Sequence, residues 1–493
     1  MFMKSVSFKR SISFLLCFAM LACVISLTGA IAAPGEAQAA AVVYGDLNGD
    51  GAVDALDFAL IKQNLLGTAT LTSEQKIAGD VDGTGSIDAL DFALVKQFLL
   101  KLIDKFPADK GTGDDDEYVH PIVIPSFSQL KANAKLTDPF KFYNGDEVTT
   151  KAQFKARQKE ISALAQAFIY GTKPEAPDSV KGSFSNNKIT VTVNDNGKSI
   201  SFSCSIQYPS TGKAPYPAVI GIGMNTLNTT ALKNLGCALI TFPCDELGAQ
   251  SGAGSRGTGK FYDLYGRNHS AGSLMAWAWG VDRLIDALES TPAANIDAKH
   301  LGVTGGSRYG KGALACGAFN ERIQLTIPQE SGSGGAASWR VSDWQKSRGQ
   351  NVQTAAQIVT ENPWQGNMFS QFGNAVTKLP LDQHLVAGLC APRGLLIIEN
   401  TQMEWLGNIS CFATGKTTHM IYEALGIPNN MGYSSVGHGD HCVLPSSQYA
   451  EVEAFVKKFL FDNSSANTSY MKQDGGISFD KNLWVDWDIP VLK

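Results

Sequence analysis

Two twelve-residue segments, DLNGDGAVDALD at 46–57 and DVDGTGSIDALD at 80–91, recur thirty-four residues apart, and each runs on into a near-identical stretch, FALIKQ or FALVKQ. Side-chain oxygens stand at positions 1, 3, 5, 9 and 12 of both: Asp46, Asn48, Asp50, Asp54 and Asp57, then Asp80, Asp82, Thr84, Asp88 and Asp91. Gly51 and Gly85 occupy position 6, where such a loop must turn sharply, and the backbone carbonyls of Ala52 and Ser86 at position 7 add one more oxygen. A hard cation such as Ca²⁺ takes six to eight oxygen ligands at this spacing. The pattern predicts two calcium loops, each followed by a helix. Residues 42–45 are too few to form a helix entering the first loop.

The rest of the chain divides around this repeat. Lys4, Lys9 and Arg10 precede an apolar run at 12–27 and small residues ending at Ala39, the order of a secretory signal peptide over 1–39. The repeat fills 43–104, a polar and acidic linker is expected at 105–120, and a large domain at 121–493. A net charge of −5 excludes a chain dominated by a basic nucleic-acid surface, and once the signal is removed nothing expects a membrane span. Beyond the signal, Cys204, Cys237, Cys244, Cys316, Cys390, Cys411 and Cys442 form no CxxC pair and are odd in number. That argues for buried thiols over a zinc site or a dense disulfide framework.

The large domain alternates short apolar runs with helical stretches. Strands are predicted at 217–223, 237–242, 301–304, 323–327 and 395–398, an antiparallel hairpin at 188–193 and 199–207 on the sheet edge, and helices at 274–290 and 448–460. This succession argues for an α/β fold, a mostly parallel sheet covered on both faces as a three-layer αβα sandwich.

One strand breaks into a helix at Gly305-Gly306-Ser307-Arg308-Tyr309-Gly310-Lys311. A nucleophilic serine needs a sharp turn that lifts its hydroxyl above the sheet, with helix N–H groups nearby for an oxyanion. Gly305 fits the Gly-x-Ser-x-Gly pattern, but Tyr309 holds the second glycine position, so a structural glycine-rich turn stays open on this pattern alone. A phosphate loop is excluded because Gly312 stands where its Ser or Thr belongs. The base is expected from HGDHC at 438–442, after the last core strand and before the final helix, the chain order of an α/β-hydrolase. His120, His269, His300, His384 and His419 read as surface or packing histidines. Glu330 and Glu404, each following a strand, compete for the orienting acid.

The repeat resembles a type I dockerin of cellulosomal enzymes. That resemblance implies a scaffoldin cohesin as partner, with contacts through Ala55, Leu56, Lys62 and Gln63 and through Ala89, Leu90, Lys96 and Gln97. The near-identity of the repeats implies two docking orientations related by a half-turn. GVTGGSRYGKGA at 302–313, PQESGSGGAASWR at 328–340, APRGLLIIEN at 391–400 and HGDHC together resemble glucuronoyl esterases, α/β-hydrolases among the carbohydrate esterases. This implies cleavage of the ester between 4-O-methyl-glucuronic acid of glucuronoxylan and lignin alcohols, with no cofactor for catalysis. It implies Ser307 as nucleophile, His441 as base because the family's histidine directly precedes a cysteine, and Arg308 at the oxyanion. Lys311, Gln353, Glu361 and Trp405 match the uronate-contacting positions. Glu330 matches the acid of fungal members and Glu404 the region where some bacterial members carry theirs. Fungal members place a cysteine before the nucleophile, bridged to the one after the histidine; Gly306 stands there instead. An acetyl xylan or feruloyl esterase on the same fold, and a non-catalytic carbohydrate-binding protein, are the competing readings. The chain is expected outside the cell, held on a cellulosome.

Overall fold

The computed structural model describes residues 43–108 and 118–493; the expected signal segment and the acidic stretch 109–117 lie outside the described residues. Every element below belongs to the compact unit Tyr44–Lys493. Among the described residues no helix is long and apolar enough to cross a membrane.

The two loops each lead into a helix, Ala55–Leu65 and Ala89–Leu99, and the side chains of Asp54 and Asp88 cap those helices. A short helix, Ser73–Gly79, also enters the second loop, which the repeat pattern does not predict. Phe58 and Phe92, equivalent in the two repeats, stack with centroids 4.2 Å apart. With Leu47, Ile61, Val81, Leu94 and Val95 they give the module its own small core.

The large domain is built on one ten-stranded sheet: β1 (Ser179–Ser185), β2 (Lys188–Asp195), β3 (Lys198–Gln207), β4 (Tyr216–Ile222), β5 (Ala238–Phe242), β6 (Ile296–Gly306), β7 (Ile323–Gln329), β8 (Gly394–Glu399), β9 (Met431–Ser435) and β10 (Met471–Gln473). Their order is β1-β2-β3-β5-β4-β6-β7-β8-β9-β10. β1, β2, β3 and β5 pair antiparallel in turn, and from β5 to β10 every pairing is parallel.

Alternation along the strands decides what each face meets. Ala218, Ile220 and Ile222 of β4 join a core with Trp277, Val281 and Leu284 of the helix Ser273–Glu289. Val219, between them, joins Val452, Phe455 and Val456 of Tyr449–Leu460 on the opposite face. A strand buried on both sides must be apolar at every position, which is why these strands read as unbroken hydrophobic runs. The result is an α/β-hydrolase sandwich.

All five predicted core strands and both helices form. The predicted hairpin pairs as expected, but it is not the outermost element: β1 pairs outside it. β1 (SVKGSFS) and β9 (MGYSS) mix apolar residues with serine, lysine and glycine and show no unbroken hydrophobic run. The C-terminal segment returns to the large domain, with Trp484, Val485, Trp487 and Leu492 in its core.

Candidate active site

The end of β6 and the start of the helix Arg308–Phe319 meet at Ser307, whose backbone takes φ 55°, ψ −126°. Left-handed φ in a residue with a Cβ costs about 1–3 kcal/mol and persists only where neighbours enforce it. Ser307 N–H donates to the Gln329 carbonyl at 3.0 Å, and Lys311 N–H to the Ser307 carbonyl at 3.1 Å. A Cβ at Gly305 would lie 2.6 Å from the Tyr309 carbonyl oxygen, and one at Gly310 2.7 Å from that of Gln329. The turn therefore needs glycine at 305 and 310 and tolerates Tyr309 between them.

Glu330 follows β7 directly and is fully buried, also with positive φ (44°). Its Oε2 accepts from His441 Nδ1 at 2.7 Å and from Cys442 N–H at 3.0 Å. Glu404 stands elsewhere, its Oε1 accepting from Asn351 N–H at 3.2 Å. A hydrogen bond from Nδ1 fixes the tautomer that leaves the Nε2 lone pair free as a base. Gly306 rests against Cys442: a Cβ at 306 would lie 2.8 Å from its Sγ. Because Ser307 follows Gly306 and His441 precedes Cys442, this contact sets the chain segments that carry serine and imidazole side by side.

The cysteines are free among the described residues, and burial with the charges of Glu330 and Glu399 pushes the Cys442 thiol up to about 12. It stays protonated at neutral pH. The other five histidines lie in other surroundings; His300, for instance, sits between Asp297 and Asp462 at 2.7 and 3.0 Å, and His384 is buried with Nε2 on the Thr137 carbonyl.

Arg308 is exposed beside the elbow, its guanidinium 5.9 Å from the Trp364 ring. Lys311 is buried, with Nζ donating to the Ser331 and Ser333 carbonyls at 2.7 and 2.6 Å and lying 5.2 Å from the same ring. Burial lowers its ammonium to about 8 against the raising charges of Glu361 and Glu399. Gln353 Nε2 donates to Glu361 Oε2 at 2.9 Å, and Gln353 N–H to the Trp405 carbonyl at 3.1 Å. Trp405, 38% exposed, meets the His441 ring edge-on at 5.6 Å. A hydroxyl-rich ring suits such a wall, which offers charged and amide groups beside an apolar face.

Sequence reasoning passed over Glu399, Asn400 and Trp364. Glu399 is buried next to Glu330, its Oε1 accepting from Ser331 N–H and Oγ at 3.2 and 3.3 Å. Burial, then the charge of Glu330, raises its carboxyl to about 8. Asn400 holds the His438 backbone at both its carbonyl (2.9 Å) and its N–H (3.3 Å). Glu399 and Asn400 closed the quoted APRGLLIIEN motif; an acid ending a buried strand was the available signal.

In the two repeat loops, Asp46 accepts from the N–H groups of Gly49 and Gly51, and Asp80 from those of Thr84 and Gly85. Gly51 and Gly85 take φ 90° and 91°, the sharp turn expected at position 6. The position-12 carboxylates of Asp57 and Asp91 are buried and reach back to the start of their loops. Oxygens of Asp80, Asp82 and Asp91 lie within 4.8 Å of one another, and Asp82 Oδ2 is buried without a partner. Such a convergence of acidic oxygens fits a hard divalent cation.

Of the expected cohesin contacts, Ala55, Leu56, Lys62, Gln63, Ala89 and Lys96 are exposed and Leu90 is half-buried. Gln97 departs from that expectation and is buried at 8% exposure. The chain after the second helix folds back, Phe106 stacking on Phe98 at 4.7 Å and Ala108 N–H donating to the Val81 carbonyl, which sets protein against the last turn of that helix.

Residues 191–426 match the family described as glucuronyl esterase, fungi, and 44–100 match the dockerin type I domain. A 4-O-methyl-glucuronoyl methylesterase of Hypocrea jecorina is 50% identical over 369 residues, 75% of this chain and 78% of the relative. The glucuronoyl esterase catalytic domain of the same organism superposes with a TM-score of 0.72 at 49% identity, covering 75% of this chain and 100% of that one. A glucuronoyl esterase mutant from Sporotrichum thermophile, in complex with methyl 4-O-methyl-β-D-glucopyranuronate, gives 0.71 at 49% identity, covering 74% and 97%.

Proposed function

Because this chain belongs to the glucuronoyl esterase family and carries a type I dockerin domain, we propose that it is an extracellular, cellulosome-borne serine esterase releasing 4-O-methyl-glucuronoxylan from lignin alcohols. It is a carboxylic ester hydrolase. The observation that carries the residue assignment is the 2.7 Å contact between His441 Nδ1 and buried Glu330, beside an elbow that strains Ser307.

In this reading His441 Nε2 takes the Ser307 hydroxyl proton as Oγ attacks the C6 carbonyl of the uronate ester. Arg308 and helix N–H groups hold the oxyanion. The alcohol leaves with the proton that His441 carries, and water, deprotonated in turn by His441, hydrolyses the glucuronoyl-enzyme. Glu330 orients the ring through Nδ1 and balances the imidazolium. Lys311, Gln353, Glu361 and Trp405 bind the uronate ring, and no cofactor is required.

The dockerin domain places this chemistry on a cohesin-bearing scaffold. Type I dockerins bind calcium, and here Asp46, Asn48, Asp50, the Ala52 carbonyl, Asp54 and Asp57 would hold one ion. Asp80, Asp82, Thr84, the Ser86 carbonyl, Asp88 and Asp91 would hold the second. The two helices offer cohesin two related surfaces, the second without Gln97.

The test is Ser307→Ala assayed on methyl 4-O-methyl-glucuronate, with the thermal midpoint of the large domain as its folding control and cohesin binding as the control for the dockerin. Loss of turnover with retained binding is expected; retained turnover, or a preference for acetylated or feruloylated substrates in the unmodified protein, overturns the assignment.

A further inference from the structure

Glu330 is approached by two imidazoles. Its Oε2 is taken by His441 Nδ1 and Cys442 N–H. Its Oε1 has no hydrogen-bond partner within ordinary reach, and neither has His438 Nε2; these two buried atoms stand 3.4 Å apart. A buried carboxylate oxygen without a donor is costly, and a small inward movement of the imidazole would supply one.

His438 is held where that movement is possible. Asn400, fully buried at the end of β8, grips the His438 backbone from both sides. Gly437 N–H donates to both oxygens of Asp474, at 2.9 and 3.1 Å. The loop between β9 and the helix Tyr449–Leu460 thus returns to Glu330 twice, once through each histidine. The side chain of His438 is 14% exposed and that of His441 31%, so His438 is the inner of the two.

Building on the triad reading above, we propose that His438 is a positioning residue of the esterase: its Nε2–H holds Glu330 Oε1, fixing the carboxylate so that Oε2 keeps the Nδ1 proton of His441. His438 does not touch the reacting atoms. It acts by setting the direction and charge distribution of Glu330. The other ionisable groups whose charge meets that carboxylate are Glu399 at the end of β8 and Cys442 on the same loop, both of which also feel Lys311 on the helix after the elbow; Asp440 on that loop is exposed, and Asp474 is engaged at Gly437.

With the donor removed, negative charge on Glu330 concentrates on Oε2 and stabilises the His441 imidazolium. The acid limb of kcat/KM then moves to higher pH, because deprotonated His441 is the base. A charged His438 would have the same sign of effect when removed, since its positive charge also disfavours the imidazolium.

The experiment compares His438→Ala, His438→Gln and His438→Leu on methyl 4-O-methyl-glucuronate, with near-UV circular dichroism and the thermal midpoint of the large domain as the control for folding. His438→Ala is expected to lower kcat about ten- to a hundredfold, the scale of a misaligned catalytic group, with KM little changed and the acid limb displaced upward. His438→Gln, which keeps an N–H donor at a similar reach, recovers most of kcat, and His438→Leu does not. In a Glu330→Ala background the His438→Ala effect disappears. Wild-type kcat in His438→Ala, rescue by Leu equal to rescue by Gln, or full additivity with Glu330→Ala overturns the proposal. If turnover in the unmodified protein proves independent of Ser307, the triad reading fails; if it depends on Ser307 and is indifferent to His438, only this inference fails.

Discussion

Gly306 and Cys442 touch: the Cβ that Gly306 lacks would fall 2.8 Å from the Cys442 Sγ and 2.9 Å from its Cβ. Bridged cysteines usually hold their Cβ atoms 3.5–4.5 Å apart, so a Gly306→Cys side chain needs the two strands of chain to part by about 1 Å. That displacement is small beside the 136-position separation being closed. Under oxidising conditions Gly306→Cys is expected to bridge to Cys442 and stabilise the large domain by about 2–4 kcal/mol. A thiol count and the thermal midpoint with and without reductant check it; a midpoint insensitive to reductant counts against the bridge.

Ser307 carries strain that a residue without a Cβ would not. Ser307→Gly removes the left-handed penalty at φ 55° while adding freedom to the unfolded chain. The net expectation is a gain of about 1 kcal/mol in unfolding free energy with turnover abolished, whereas Ser307→Ala abolishes turnover without that gain. Denaturant titration of the two variants side by side separates them.

Glu330 and Glu404 differ in what they can do for His441. One is fully buried with Oε2 at 2.7 Å from Nδ1; the other accepts from the Asn351 backbone. Replacing a triad acid so that the imidazole loses its orientation costs about 10⁴-fold in kcat. Glu330→Gln is expected near that figure, and Glu404→Ala within about tenfold of wild type. Equal losses in the two variants would contradict the assignment.

The difference between those two glutamates explains what a sequence can and cannot carry. Buried strands such as β4 and β8 announce themselves because both faces demand apolar residues. The elbow announces itself because its close backbone approaches require Gly305 and Gly310. The acid stays open in the sequence because Glu330 and Glu404 both follow strands, and the return of the loop at 436–442 to Glu330 is what supports the proposed choice. β1 and β9 escaped notice because serine, lysine and glycine interrupt their apolar residues, so neither reads as an unbroken hydrophobic run. Gln97 was misjudged because repeat symmetry says nothing of the asymmetric chain that folds back through Phe106.

The two loops proposed to bind calcium lie in a module whose core is small, so its helices depend on the ordered turns that begin them. Chelation is expected to lower helical ellipticity and abolish cohesin capture while leaving kcat on the glucuronate ester unchanged. Asp46→Ala and Asp80→Ala each disable one loop, through the carboxylates that gather Gly49 and Gly51 or Thr84 and Gly85. Titration calorimetry with calcium should then find one site fewer in each variant. An unchanged stoichiometry removes that loop from the ligand set.

Glu399 gives the fold a pH signature. Its carboxyl rises to about 8 in the folded protein, through burial first and the charge of Glu330 second, whereas in the unfolded chain it titrates near 4.5. An acid raised in this way favours folding fully below its unfolded value. That contribution is lost as pH climbs from about 4.5 through about 8, because the unfolded chain releases its proton first. Lys311, lowered to about 8 against 10.5 when free, acts only above that window, where stability returns as pH rises. Glu399→Gln keeps a neutral acceptor for the Ser331 N–H and does not titrate. The thermal midpoint of the variant relative to wild type is therefore expected to rise steadily between pH 5 and 8 and then level off. A difference that is flat over that range would mean Glu399 is ionised in the folded protein, and that Lys311 or a rearranged Ser331 compensates its charge.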